Sequence, residues 1–126
     1  MELNKFGRRY FEKEYKNSQL NAGQVWTNII SQKDMDEYAP FTHLIVENND
    51  TTSTIQIGLN SSVDGTTISG GKTFYLPPQS VLEIEPKDNI LFHWLVIKNL
   101  DSTNNIAANQ IVVIVKNDTE RLFSYK

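Results

Sequence analysis

Two stretches of the chain, Ile90-Leu-Phe-His-Trp-Leu-Val-Ile97 and Ile111-Val-Val-Ile-Val115, are apolar at nearly every position. A β-strand turns successive side chains to opposite faces, so such a run has no face suited to water. In a two-layer sheet protein one face of each strand meets solvent. These two therefore need cover on their second face, from another piece of the chain or from another molecule. If Phe92, Trp94 and Val96 formed that second face, leaving them wet would forgo roughly 4–9 kcal/mol, at ~1.5–3 kcal/mol per buried side chain. That is comparable to the whole stability of a small domain, ~5–15 kcal/mol. The constraint favours a part of an assembly over a free-standing catalyst.

The other candidate strands alternate. Thr42-His-Leu-Ile-Val-Glu-Asn48 closes on the turn cluster Asn49-Asp-Thr-Thr52, and Thr54-Ile-Gln-Ile-Gly-Leu59 puts Ile55, Ile57 and Leu59 on one face. Short strands are expected at 66–69 and 72–76 around Gly70-Gly71, with Pro77-Pro78 ending the second. Val81-Leu-Glu-Ile-Glu85 sets Leu82 and Ile84 opposite Glu83 and Glu85. Residues 25–31 suit a first strand or an irregular lead-in, and 32–40 a polar loop with at most one helical turn. The last two strands, 90–99 and 106–116, are expected to pair as a hairpin across a polar loop at 101–105. Seven to eight short strands with turns about every ten residues predict an all-β, antiparallel, jelly-roll-like sandwich. No internal repeat, linker or low-complexity tract is visible.

The ends differ from this body, which gives an expected division into an arm (1–24), a sandwich (25–118) and a tail (119–126). In the arm, Leu3, Phe6 and Tyr10 recur at i, i+3 and i+7, with Phe11 and Tyr15 alongside. This suits a short amphipathic helix, or an extended arm using the same anchors. Lys5, Arg8, Arg9, Lys13 and Lys16 make the segment basic, yet Glu2, Glu12 and Glu14 dilute it, so protein docking is favoured over a membrane or nucleic-acid role. Leu122, Phe123 and Tyr125 mark the tail as a second docking segment. The expected partner-binding residues are Leu3, Phe6, Arg8, Arg9, Tyr10, Phe11, Phe92, Trp94, Leu122 and Phe123.

Composition narrows the chemistry. The 126 residues fit one domain, and no cysteine is available for disulfides or thiolate metal sites. No run approaches the ~20 apolar residues that cross a bilayer, and the first residues lack a secretory apolar core, so cytoplasmic synthesis is expected. A net charge of −3 favours neither nucleic acid nor an anionic membrane.

Ser69-Gly-Gly-Lys-Thr73 contains the end of a phosphate-binding loop, but the required earlier glycine is Thr66, and Phe74-Tyr-Leu-Pro-Pro78 cannot open a helix. His43 and His93 are the only histidines. No spacing around them suggests a zinc shell, and His93 is expected to be packed within its strand. Glu83 and Glu85 share what reads as a solvent face. Asp34, Asp36 and Glu37 lack the spacing of a calcium loop. No catalytic residue, metal or cofactor is therefore expected. Trp26, Trp94 and the tyrosines, with polar loops at 60–65 and 101–105, leave carbohydrate binding as an alternative.

From His43 onward the chain resembles the small β-sandwich virion proteins of tailed bacteriophages. The resemblance is carried by Leu44-Ile-Val-Glu-Asn48, Ile55-Gln-Ile-Gly-Leu-Asn60, Leu76-Pro-Pro78, Phe92-His-Trp-Leu-Val-Ile-Lys-Asn99 and Ile106-Ala-Ala-Asn-Gln-Ile-Val-Val113. It implies a non-enzymatic auxiliary capsid, head-fibre or connector subunit, made in the host cytoplasm. Such a subunit would contact other virion proteins, and homo-oligomerisation would be expected.

Overall fold

A computed structural model describes residues 3, 4 and 6–117. Two four-stranded antiparallel sheets pack face to face as an all-β sandwich. The first has the order β1 (Glu12–Lys16), β10 (Ile111–Asn117), β3 (Phe41–Asn48), β8 (Ser80–Ile84). The second has the order β2 (Val25–Trp26), β9 (Leu95–Asn99), β4 (Ile55–Leu59), β7 (Lys72–Leu76). A hairpin of β5 (Ser62–Asp64) and β6 (Thr67–Ser69) forms a two-stranded sheet of its own. A seven-residue α-helix, α1 (Gln32–Tyr38), is capped by Ser31 Oγ, which accepts from Asp34 N at 3.1 Å.

Register explains the core. In the first sheet Val113 pairs with Val46 and Val115 with Leu44, all fully buried. In the second, Ile57 pairs with Ile97 and Leu59 with Leu95, and these face the same interior. Phe41, Phe92 and Phe11 close one end, with ring centroids 5.7 Å (Phe41–Phe92) and 5.5 Å (Phe11–Phe41) apart.

One open alternative is decided and two expectations are corrected. The arm takes its extended form, with no helix among the described residues of 3–20: Glu12 to Lys16 pair with Lys116 to Val112. The period-two set Phe11, Lys13, Tyr15 alternates against Glu12, Glu14, Lys16, and an open strand edge rewards that alternation more than a marginal helix rewards the spacing of Leu3, Phe6 and Tyr10. The loop expected at 32–40 holds a seven-residue helix, capped and packed through Met35 and Tyr38.

The second correction concerns 90–99. Phe92 exchanges backbone hydrogen bonds with Phe41 in the first sheet (2.8 and 3.1 Å), whereas β9 begins at Leu95 in the second. The chain crosses between sheets in these few residues. Asn60 holds the crossing: its Oδ1 accepts from His93 N at 2.7 Å, and its N–H donates to Trp94 O at 3.0 Å. The crossing breaks the alternation, burying Phe92 and leaving His93 exposed, contrary to its expected packing. It also separates β9 from β10, so the expected hairpin is absent. Their connection instead arches between the layers and pins Ile106 to Leu20 by two backbone hydrogen bonds (2.8 and 2.9 Å).

A repeat that escaped the sequence reading appears here. Leu44-Ile-Val-Glu-Asn-Asn-Asp-Thr-Thr-Ser53 matches Leu95-Val-Ile-Lys-Asn-Leu-Asp-Ser-Thr-Asn104, and both segments are bonded alike. Asn48 Oδ1 accepts from Asp50 N (3.2 Å) and Asn99 Oδ1 from Asp101 N (3.0 Å). Asp50 accepts from the N–H groups of Thr52 and Ser53, and Asp101 from those of Thr103 and Asn104. The carboxyl of Asp101 is held well below its ordinary range by the Thr103 and Asn104 N–H groups. That of Asp50 is lowered although burial alone would raise it, because the donors of Thr52 and Ser53 outweigh burial.

Asn48 Nδ2 donates to the carbonyls of Ser53, Leu76 and Pro77, and Asn99 Nδ2 to those of Leu20 and Asn104. Both side chains are fully buried, so truncation strands carbonyls away from water. Asn48→Ala and Asn99→Ala should each cost about 2–4 kcal/mol in urea unfolding, at ~1–3 kcal/mol per orphaned group. Asn105→Ala, at an exposed loop position, should stay within about 1 kcal/mol.

Candidate assembly surfaces

The arm is fixed by a few anchors. Phe11 is buried and stacks on Tyr38 with centroids 4.7 Å apart. Arg8 Nη1 donates to the carbonyls of Asp36 (3.0 Å) and Glu37 (3.3 Å) at the end of α1, where a cation suits the exposed helix carbonyls. Tyr10 is exposed and its hydroxyl donates to Glu12 Oε1 at 2.6 Å. Leu3 is half-buried and lines a cleft with Gly7, Arg8, Arg9 and Tyr38, while Phe6 and Arg9 are exposed. Of the expected anchors, Phe11 and Arg8 thus hold the arm to its own chain, and Phe6, Arg9 and Tyr10 face outward. Leu122 and Phe123 lie outside the described residues, as does the expected tail at 119–126.

Phe92 and Trp94 are not neighbours on one face. Phe92 is core, and Trp94 is 40% exposed with its indole N–H donating to Ser61 O at 2.8 Å. Val96, on the outward side of β9, is nonetheless buried. Its register partner is Gly58, and a Cβ built there would meet Ser61 Oγ at 2.6 Å and Ile68 Cγ2 at 2.8 Å. The β5–β6 hairpin therefore lies down on this part of the second sheet. The cover this stretch needs comes from another piece of the chain, 61–69. Where the hairpin, β9 and the 27–35 segment meet is a cavity of about 200 Å³, bordered by Val63, Met35, Ile30 and Trp94 together with the polar Asn28 and Ser61.

β10 has no such flap. Its outward Val112 and Ile114 stand in register with Glu47 and Ile45 on β3, which pair in turn with Val81 and Glu83 on β8. On the other side they meet Lys16 and Glu14 of β1. The outer face of the first sheet thus has an apolar centre of Ile45 and Ile114 with the buried Val112 beside them, and Val81, which is 60% exposed, lies across Glu47 from Val112. Charges ring it, including His43, whose Nε2 lies 3.3 Å from Glu83 Oε2. Sequence reading missed Ile45 and Val81 as surface groups. The signal was present, because Val81 alternates with Leu82 and so shares the outward side of Glu83.

The outer face of the second sheet keeps one open row, Lys98, Gln56 and Tyr75, in register across three strands. Tyr75 is 64% exposed. Gly71 at the start of β7 is a close-approach glycine, since a Cβ would lie 2.0 Å from Leu59 O. That contact, and the strand that follows, account for the Gly-Gly-Lys-Thr sequence without a phosphate. Among the described residues no group of three or more metal-ligand side chains comes together. No described helix is long and apolar enough to cross a membrane. No protein-family model and no curated protein matches the chain.

Tyr15 marks the inner seam of the arm. Its hydroxyl is buried with no partner among the described residues. Burial, and then the Asp34 carboxylate, push its pKa up from 10.0 to about 12. The unfolded chain releases this proton near pH 10 and the folded chain only near 12, so the folded state holds more protons across that window. Its contribution is complete below pH 10 and falls as pH rises toward 12. Urea midpoints for Tyr15→Phe should decline less over this interval than those of the parent chain; parallel curves would contradict the assignment.

Proposed function

We propose that the protein is a non-catalytic structural subunit of a virus particle, of the kind tailed bacteriophages use to decorate or join capsid components. The observation that carries this reading is the outer face of the first sheet, where Ile45 and Ile114 form an apolar centre beside the buried Val112, with exposed Val81 across Glu47 and charged residues around them. Interfaces between proteins have this anatomy, an apolar middle and a polar border. Covering Ile45, Ile114 and Val81 would gain on the order of 2–5 kcal/mol, since two of the three are already partly shielded. The resemblance of the segments from His43 to Val113 to phage sandwich proteins supplies the kind of assembly. The rigid sandwich presents the face, and no reaction is required of it.

A second reading, a carbohydrate-binding module, has one specific support. The row Lys98–Gln56–Tyr75 sets an exposed ring beside an amide and an ammonium on a flat sheet. The loops at 60–65 and 101–105 support it less, because Asn60 and Asp101 spend their side chains on backbone groups.

The two readings separate in one experiment. The double variant Ile45→Lys, Ile114→Lys should keep its fold, since both positions point outward. It should enter purified particles on the order of 10–100-fold less well than the parent chain. Tyr75→Ala should enter normally. The opposite pattern, with Tyr75→Ala losing glycan-array binding and the lysine variant unaffected, would replace the first reading by the second.

A further inference from the structure

We propose that residues 3–20 are a transferable arm: the edge of β10 that they fill within one chain accepts the same segment from a second copy of the protein. This deepens the assembly reading, on which it rests, by naming one partner as another copy of the chain.

The arm grips a single strip and little else. β1 forms five register pairs with β10, yet Glu12, Lys13, Glu14 and Lys16 are exposed and Tyr15 is only half-buried. The hold comes from anchors spaced along the strip 106–117. At one end the Asn117 side chain accepts from Phe11 N (2.8 Å) and donates to Arg9 O. At the other, the Asn17 side chain accepts from Ile111 N (2.9 Å) and donates to Ala107 O (3.0 Å). Beyond it, Leu20 pairs with Ile106. The remaining contacts reach α1 through Arg8, Lys13 and the Phe11–Tyr38 stack, Phe41 through the Phe11 ring, and Asn99 through Leu20 O. Each of these contacts joins an arm residue to a body residue outside 3–20, so a second chain's arm can make every one of them.

The arm joins the body through a tight turn at 21–24, closed by Gln24 N donating to Asn21 O at 2.9 Å, with Gly23 at φ +74°. Straightening this turn forfeits its own few hydrogen bonds and keeps the rest of the arm's contacts, which is the low-cost route to exchanged oligomers. The bare alternative is unfavourable: without an arm, β10 offers an apolar strand with one open edge, a template for uncontrolled pairing.

The chain has no cysteine, so an introduced pair reports strand pairing without background. Glu14 and Ile114 are register partners. Facing Cα atoms in such a ladder lie ~4.5–5.5 Å apart, within disulfide range. Full-length Glu14→Cys and Ile114→Cys chains are co-refolded from urea over a range of concentrations and mildly oxidised. Arm exchange predicts a linked heterodimer several-fold above the background of either variant alone, with a yield that rises with concentration. The double variant in dilute solution should close within one chain, proving that the geometry allows the bond; Lys16→Cys with Val112→Cys serves if it does not. A double variant that closes, beside a mixture that stays at background at every concentration, overturns the proposal. The cross-link reads the β10 edge and particle entry reads the outer face, so either can fail while the other stands.

Discussion

β10 is the strand on which the rest of the molecule depends. Its two edges are hydrogen-bonded to β1 and β3, and Ile111, Val113 and Val115 fill the centre of the core. On its remaining side Val112 is buried by its neighbours, but at Ile114 the chain's own supply of cover runs out. The other doubly apolar stretch had the same requirement and met it internally: the chain crosses sheets at Phe92, and the hairpin at 61–69 lies over Val96. The two stretches obey one physical rule and satisfy it by different means. One is covered by the chain, and the other leaves a face suited to a neighbour.

What keeps β10 and its partners in register is a set of buried asparagines. Asn17, Asn48, Asn99 and Asn117 each follow a Lys or Glu at a strand end, and each is almost wholly inaccessible. An amide can accept from one backbone N–H and donate to two carbonyls, so a single side chain closes a strand end whose polar groups would otherwise be buried unpaired. Asn17 and Asn117 clamp the arm onto β10, while Asn48 and Asn99 shape the two matching loops. The corners of this sandwich are thus built from one chemical device used four times.

Much of this was legible in the sequence. The alternation in β3, β4 and β8 was sufficient to place each strand and its inward face, and the sandwich followed from strand number and turn spacing. The hairpin of the last two strands was not legible, because nothing local in Phe92-His-Trp-Leu reveals that Phe92 bonds to one sheet and Leu95 to the other. That choice is made by Phe41 and Asn60, far away in sequence. The arm's strand was obscured by a competing helical spacing, and only the free edge of β10 decides between the two. The repeat was hidden because its signature is a hydrogen-bonding pattern, Asn-x-Asp followed by two donors, and only a few of its residues are identical. Among the residues expected to contact a partner, Phe11 and Phe92 are instead buried in the chain's own core. Ile45 and Val81 show that residues judged ordinary by alternation can define a surface.

The central claim, that the outer face of β10 and β3 is made to be covered, is tested most directly by side-chain footprinting. Hydroxyl radicals label exposed aliphatic groups, so Ile45, Val81 and Ile114 can be compared between the free chain and the native particle. The account predicts strong labelling of Val81 and measurable labelling of Ile45 and Ile114 in the free chain, all suppressed in the particle, while Tyr75 is labelled in both. Equal labelling of the three aliphatic residues in the two states would contradict it.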